Sequence, residues 1–451
     1  MGERNGAGGL GAGAHGPGVG YVMMAYARAD EAFITNEIYL LERLGLKLHL
    51  FSVKQPMDNA VRHASVEQIQ APVTCLPDLT AGRRRRFIWR HLRAYWRSHA
   101  QVFLRRPAAH VRTLFFALGL YFKYRFPLRP RRVTEELFLV DFLRAGPVAL
   151  HVLESPWIRH LHGHFCHAST TVTMMVSRMT GVPFSFTAHA KDIYLRKLNP
   201  GDLLQRKMRG AAFVVTCTEV NRAHLRRLCP DVPSVHRIYH GIDTAVFAPR
   251  VAHESRDGGP PRILAAGRFV EKKGFPYLVR ACRVLKEQGH LFRCDIVGRP
   301  DRDSDPVRRA IAEGKLEDTV FVRGAVSHDE LKQLYERCTV FCLPCIVARD
   351  GDRDGIPNVL AEAMAMGLPV VSTAISAIPE LITDGVNGTL VPEKDIAALA
   401  GALERLLEDA ALRRRLGDAA RETVRGKFDA ERTTSALKDL FSSSLAKGAR
   451  R

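Results

Sequence analysis

Asp354 and Glu362 stand on either side of the turn Gly355-Ile356-Pro357-Asn358. Proline suits the first turn of a helix, where its missing N–H costs nothing, so the stretch predicts a helix starting near Pro357. The free N–H groups and positive dipole end of that helix would face the loop that holds Asp354, which is a setting for phosphate. Glu362 lies about a turn and a half further on, within reach of another part of the same elongated ligand. Carboxylates that accept from hydroxyls, beside N–H groups that donate to phosphate, describe a nucleotide-sugar site. The same residues would also serve a plain helix start, with Asp354 favouring the dipole and Glu362 in solvent. A second motif bears on that choice. An apolar run at Ile263 to Ala266 leads into Gly267-Arg268 and on to Lys273-Gly274. Strand, glycine loop and helix in that order place cations outside a strand end, where a diphosphate would lie.

Other residues offer chemistry less directly. His160, His162 and His164 alternate in an expected strand at 158–165 and would share one face. They could gather a metal, but they read better as polar residues where a strand runs out into a cleft. His189 ends the expected strand Pro183 to Ala188. Asp350, Asp352 and Asp354 alternate in a way that could hold a cation, yet they precede the helix expected to meet the ligand itself, so no metal is expected. Cys338, Cys342 and Cys345 have the spacing of a radical-SAM cluster motif, but Val340 to Leu343 reads as a buried strand that would not gather three thiols. The glycines at Gly16, Gly18 and Gly20 precede the first expected strand, Tyr21 to Tyr26, and so are no dinucleotide loop.

The Asp354–Glu362 region resembles the E-x7-E segment of the family 4 retaining glycosyltransferases of exopolysaccharide type, which have the GT-B fold. The resemblance covers most of the chain from about Tyr21 and is strongest in the second half. It implies two Rossmann-like doubly wound α/β domains facing a central cleft. It places Asp354 by the donor sugar, where Glu is usual in the family, and Glu362 on the ribose. Arg268 and Lys273 match the family's diphosphate cations, and His189 matches a histidine beside the donor sugar. Gly267, Gly298, Ile356, Pro357 and Asn358 fall among the donor-binding positions. The implied activity is metal-independent, retaining transfer of a hexose from a nucleotide diphosphate sugar to a polysaccharide or lipid-linked acceptor, with no cofactor.

These motifs need elements to hold them. The 451 residues suffice for two domains with separate cores. Strand, helix and strand across Tyr21 to Val53 form an expected βαβ unit. The expected organisation is a flexible tail over 1–20, a first, acceptor-side domain over 21–247, a Pro- and Gly-rich linker over 248–261, and a second domain over 262–428. A final helix over 429–451 would cross back to the first domain. Nine irregularly spaced cysteines give no disulfide framework, so a reducing cytoplasm is the expected setting.

The net charge is +20, and no Asp or Glu occurs from Leu79 to Thr134. Within Arg83–Arg132, basic residues alternate with Trp89, Tyr95 and Trp96 at helical spacing. Such a segment suits an anionic membrane surface, with peripheral attachment at the cytoplasmic face. Nucleic acid is the rival partner for the same charges and is not expected. The longest apolar run there, Leu114 to Phe122, is too short to span a bilayer. Two alternatives to a transferase stay open: a sugar-nucleotide epimerase of the same fold, and a basic membrane- or nucleic-acid-binding protein with a degenerate site.

Overall fold

The computed structural model describes residues 16–26, 32–54, 64–77, 85–124, 137–232, 234–248, 259–299 and 304–448. Among the described residues, thirteen strands form two sheets. The first holds β1 (Gly18–Ala25), β2 (Leu48–Lys54), β3 (Val73–Cys75), β4 (Ile158–His164), β5 (Phe184–Ala188), β6 (Val214–Thr216) and β7 (Val235–Arg237). The second holds β8 (Arg262–Ala266), β9 (Arg293–Val297), β10 (Val320–Arg323), β11 (Val340–Leu343), β12 (Val370–Thr373) and β13 (Thr389–Val391). The strands run in the order β3-β2-β1-β4-β5-β6-β7 and β10-β9-β8-β11-β12-β13. All their pairings are parallel.

Parallel strands are covered on both faces, so they read as continuous apolar runs; β11 and β12 are buried at every position. Each order reverses direction once, between β1 and β4 in the first sheet and between β8 and β11 in the second. Ligands of doubly wound sheets lie outside the carboxyl ends of the strands at such a reversal. The loop after β8 carries Gly267 to Lys273, and the chain after β11 carries Asp354. Topology therefore brings the two motifs into one crevice.

Two boundaries differ from the sequence reading. β1 begins at Gly18, so Gly18 and Gly20 belong to the sheet and not to a preceding tail. A Cβ on Gly18 would stand 2.6 Å from both the Lys47 carbonyl oxygen and the Trp157 ring, so the strand enters where only glycine fits. The three alternating histidines do not run out into a cleft together. His160 and His162 are fully buried and share the Ser185 hydroxyl at 2.7 and 2.8 Å, while His164 alone reaches the strand end.

The last helix, Ala430–Gly448, packs against the helix Ala32–Arg43 and the first sheet through Leu437, Phe441 and Leu445. Its Ser444 hydroxyl meets His160 Nδ1 at 2.9 Å. Residues 249–258 of the expected linker lie outside the described residues. So do residues 83–84 and 125–132 of the basic segment. Among the described residues, no helix is long and apolar enough to cross a membrane.

Candidate active site

The crevice of the second domain is organised by charge. Lys273 Nζ lies 2.7 Å from Asp354 Oδ2, and Lys272 Nζ bridges Asp354 at 3.2 Å and Asp352 at 3.1 Å. Of the alternating acids, Asp352 and Asp354 hold the Lys272 ammonium, while Asp350 accepts the Asp352 N–H. Burial alone would raise the Asp354 carboxyl, but the two lysines outweigh it and hold it at about 2. Burial works against the Lys273 charge, and the Asp354 carboxylate more than offsets it, leaving that group above its ordinary value.

Close backbone approach makes the cluster possible. Gly274 ends the 3-10 turn Glu271–Lys273 in the left-handed region, at φ 67°. A Cβ there would sit 1.8 Å from the Pro344 carbonyl oxygen. Gly298 is excluded from substitution in the same way by the carbonyl oxygen of Gly267, also at 1.8 Å. The loops after β8, β9 and β11 are therefore pressed together, and Lys272 O accepts the Ile346 N–H at 2.9 Å across them.

Pro357 occupies the N-cap of the helix Asn358–Ala365, as its sequence position predicts, with Ile356 packed on the core just before it. Glu362 is on the inner side of this helix and accepts from Tyr335 Oη at 3.1 Å. Burial pushes its carboxyl up to about 7, against the Tyr335 hydrogen bond and the Lys273 charge, which lower it. Arg268 is exposed beside Lys273, whose charge it opposes.

His189 comes from the other domain, as N-cap of the short helix Ala190–Tyr194. Asp192 Oδ1 accepts the His189 N–H at 2.7 Å, and the His189 ring closes the reciprocal cap towards the Asp192 N–H. The ring packs among Phe33, Phe165 and His240, with centroids at 5.4, 4.7 and 5.0 Å. The Asn358 side chain of the acid-bearing helix lies close enough to His240 to favour its charge against burial, so the two domains meet there. Glu380 supplies a second junction. Its carboxylate accepts the N–H groups of Glu219 and Val220 at 2.7 and 2.9 Å and the Tyr239 hydroxyl at 3.0 Å.

The structure thus brings Lys273, Asp354 and Glu362 into one crevice, while His189 belongs to the other domain with its ring against His240. Sequence reasoning missed Lys272, although the paired acids at Asp352 and Asp354 were a signal for a second cation. It also missed Tyr335, His240 and Glu380, whose roles depend on contacts between elements far apart in the chain.

Cys338, Cys342 and Cys345 are buried, Cys342 within β11, and they form none of the metal-capable clusters among the described residues. Two such clusters occur, His189 with Cys217 and His240, and His290 with Glu404 and Glu408. In the first, His189 Nε2 is already engaged by His164 at 2.9 Å, and burial pushes the Cys217 thiol up to about 12.

Comparison with known proteins agrees with this geometry. Residues 250–423 match the family model described as glycosyl transferases group 1. The amylovoran biosynthesis glycosyltransferase AmsK of Erwinia amylovora is 48% identical over 147 residues, 33% of this chain and 36% of that one. The putative colanic acid biosynthesis glycosyltransferase WcaL of Escherichia coli is 29% identical over 397 residues, 85% of this chain and 89% of that one. The aligned part thus spans about a third of the first relative and most of the second. Among solved structures, the sucrose-phosphate synthase of Thermosynechococcus elongatus superposes with TM-score 0.69 at 19% identity, covering 95% of this chain and all of that one. Anabaena HepE in complex with UDP superposes with TM-score 0.68 at 16% identity, over 94% of this chain and all of that one. The fold is GT-B. Its second domain matches the glycosyl transferases group 1 model, and the similar proteins AmsK and WcaL are named for exopolysaccharide biosynthesis.

Removing the Asp354 charge while keeping its shape would leave Lys272 and Lys273 facing each other with one carboxylate fewer. Asp354→Asn is expected to lower unfolding stability by roughly 3 kcal/mol at neutral pH, the scale of breaking a buried ion pair. Because the folded carboxyl lies below its ordinary value, its contribution is present above that value and fades as pH falls towards about 2. Urea denaturation at several pH values checks both; equal stability of the two proteins at pH 7 would contradict the ion-pair assignment.

Proposed function

We propose that the chain is a retaining glycosyltransferase that moves a hexose from a nucleotide diphosphate sugar to a polysaccharide or lipid-linked acceptor held against the first domain. The observation that carries the reading is the buried Lys272–Lys273–Asp354 cluster at the strand reversal of the second sheet, with Glu362 on the adjoining helix. A departing nucleoside diphosphate gains charge as the glycosidic bond breaks. In this reading Lys273, with Arg268 beside it and the N–H groups at the start of the helix Asn358–Ala365, stabilises that charge without a metal. Glu362 accepts from the ribose hydroxyls and Asp354 faces the sugar.

The sugar passes through an oxocarbenium-like state. No side chain of the site is placed as a covalent nucleophile, so a donor phosphate oxygen serves as base for an acceptor arriving on the same face. The HepE neighbour was solved with UDP and with UDP-glucose, which makes uridine donors the first to try. The relatives named for amylovoran and colanic acid biosynthesis support a glycan acceptor.

An anionic lipid surface is the proposed partner of the first domain. The helices Arg85–Arg105 and Pro107–Tyr124 bury Tyr95, Val102, Ala117 and Leu120 on one side. On the other side, Trp96, Leu104, Phe115 and Phe122 are exposed by 74, 79, 67 and 58%. Arg93, Arg97, Arg106 and Arg112 are exposed among them. Aromatic side chains beside arginines, with no acid in that stretch of sequence, complement lipid headgroups over apolar chains. The cytoplasmic face of a membrane follows as the proposed location.

Lys273→Ala is expected to lower acceptor-dependent release of nucleoside diphosphate by roughly a hundredfold, the scale of losing one charge-stabilising group. Turnover within a few-fold of the parent would remove Lys273 from the mechanism. Flotation with vesicles containing phosphatidylserine tests the surface. The double change Arg93→Ala and Arg97→Ala should weaken binding roughly 30-fold, at about 1 kcal/mol for each charge. Retention by oligonucleotides in preference to vesicles would overturn the lipid assignment.

A further inference from the structure

A line of buried side chains runs from the helix Ala32–Arg43 to His189. Tyr21 Oη donates to Glu37 Oε1 at 2.5 Å and meets His164 Nδ1 at 2.6 Å. His164 Nε2 meets His189 Nε2 at 2.9 Å. Tyr21 and His164 are fully buried, and Glu37 is four-fifths buried.

Donor and acceptor capacities fix the direction of this line. The phenol has a single hydrogen, which goes to the Glu37 carboxylate, so its oxygen can only receive from His164 while Glu37 is ionised, above the value of about 7 to which burial raises that carboxyl. His164 Nδ1 therefore carries a proton. A neutral imidazole has one N–H, which leaves His164 Nε2 as an acceptor and makes His189 Nε2–H the donor. The nitrogen left bare on His189 is Nδ1, the one that the reciprocal cap turns towards the Asp192 N–H. The carboxylate at one end thus sets the tautomer of His189 at the other. Burial keeps both rings neutral, holding each well below the usual histidine range.

We propose that Glu37, Tyr21 and His164 are positioning residues that lock His189 as a neutral Nε2–H imidazole, a fixed wall for the donor sugar and not an acid or base. This rests on the transferase reading for the identity of the sugar, but not for the tautomer. His189 Nε2 is spent within the protein and the ring caps the start of its own helix, so it contributes shape and dipole at a set orientation. Partners behind a reacting group commonly control it in this way.

The test uses the full chain labelled with 15N-histidine, whose long-range 1H–15N spectra distinguish the tautomers; His164→Asn and His189→Asn identify the two signals. The parent should show His164 as Nδ1–H and His189 as Nε2–H. Tyr21→Phe removes the acceptor of His164 Nδ1–H, and His189 should then lose its single tautomer. Its kcat should fall about tenfold while donor KM stays within twofold, since the diphosphate contacts are untouched. Glu37→Gln keeps a carbonyl acceptor for Tyr21 and should retain the parent spectrum and rate, whereas Glu37→Leu should behave as Tyr21→Phe. The Glu37 pair decides the matter if Tyr21→Phe does not fold. A parent His189 in the Nδ1–H form, or a His189 signal and rate unchanged in both Tyr21→Phe and Glu37→Leu, would overturn the proposal. A parent that transfers no sugar but shows the stated tautomers would defeat the transferase reading and leave the lock standing.

Discussion

Two adjacent lysine ammonium groups, each within 3.2 Å of one largely buried carboxylate, set the terms for the second domain. Such a group is stable only while its charges stay paired, since desolvation of each ion costs several kcal/mol. The pairing requires three loops to come together, and glycines at Gly267, Gly274 and Gly298 stand where they touch. Parallel strand order brings those loops to one crevice, and the helix from Asn358 adds Glu362 beside them. An anionic ligand entering there would meet positive charge already held in place. Preorganisation of this kind is what a reaction that expels a diphosphate requires.

The first domain contributes shape more than charge. Its wall is a set of rings, buried His189 with half-buried Phe33, Phe165 and His240, and behind it lie His164, Tyr21 and Glu37. The crossing at Ile242 and Phe428, with Thr244 bonded to Asp429 at 2.7 Å, ties the last helix to the hinge between domains. His240 to Asn358 and Glu380 to the start of the helix Glu219–Leu228 then fix how the wall faces the crevice. These contacts join residues more than a hundred positions apart.

Much of the architecture is legible in the chain because buried parallel strands are short apolar runs ending in glycine or charge. β11 falls at the residues that pattern predicts, and Pro357 marks its helix start by its fixed φ. The site is legible where local geometry makes it, as with Asp354, Pro357 and Glu362. Lys272 was hidden because its neighbour Lys273 fits the same motif and only the fold shows which acids each one meets. Gly18 read as tail because its need for a missing Cβ arises from Trp157, distant in sequence. The alternating histidines gave the correct face, but their burial comes from Ser185 and Thr187 on the next strand and Ser444 on the last helix. No periodicity encodes those partners.

The most direct measurement of the central claim is thermal stabilisation by a panel of nucleoside diphosphates, in chelator and then with added divalent cation. One nucleoside diphosphate should raise the melting temperature of the parent in chelator, with stabilisation of about 2.7 kcal/mol at a hundred times its Kd. The same nucleotide should give a much smaller shift with Lys273→Ala. No shift with any nucleotide, or one that requires the metal and survives Lys273→Ala, would contradict a diphosphate held by the charged crevice.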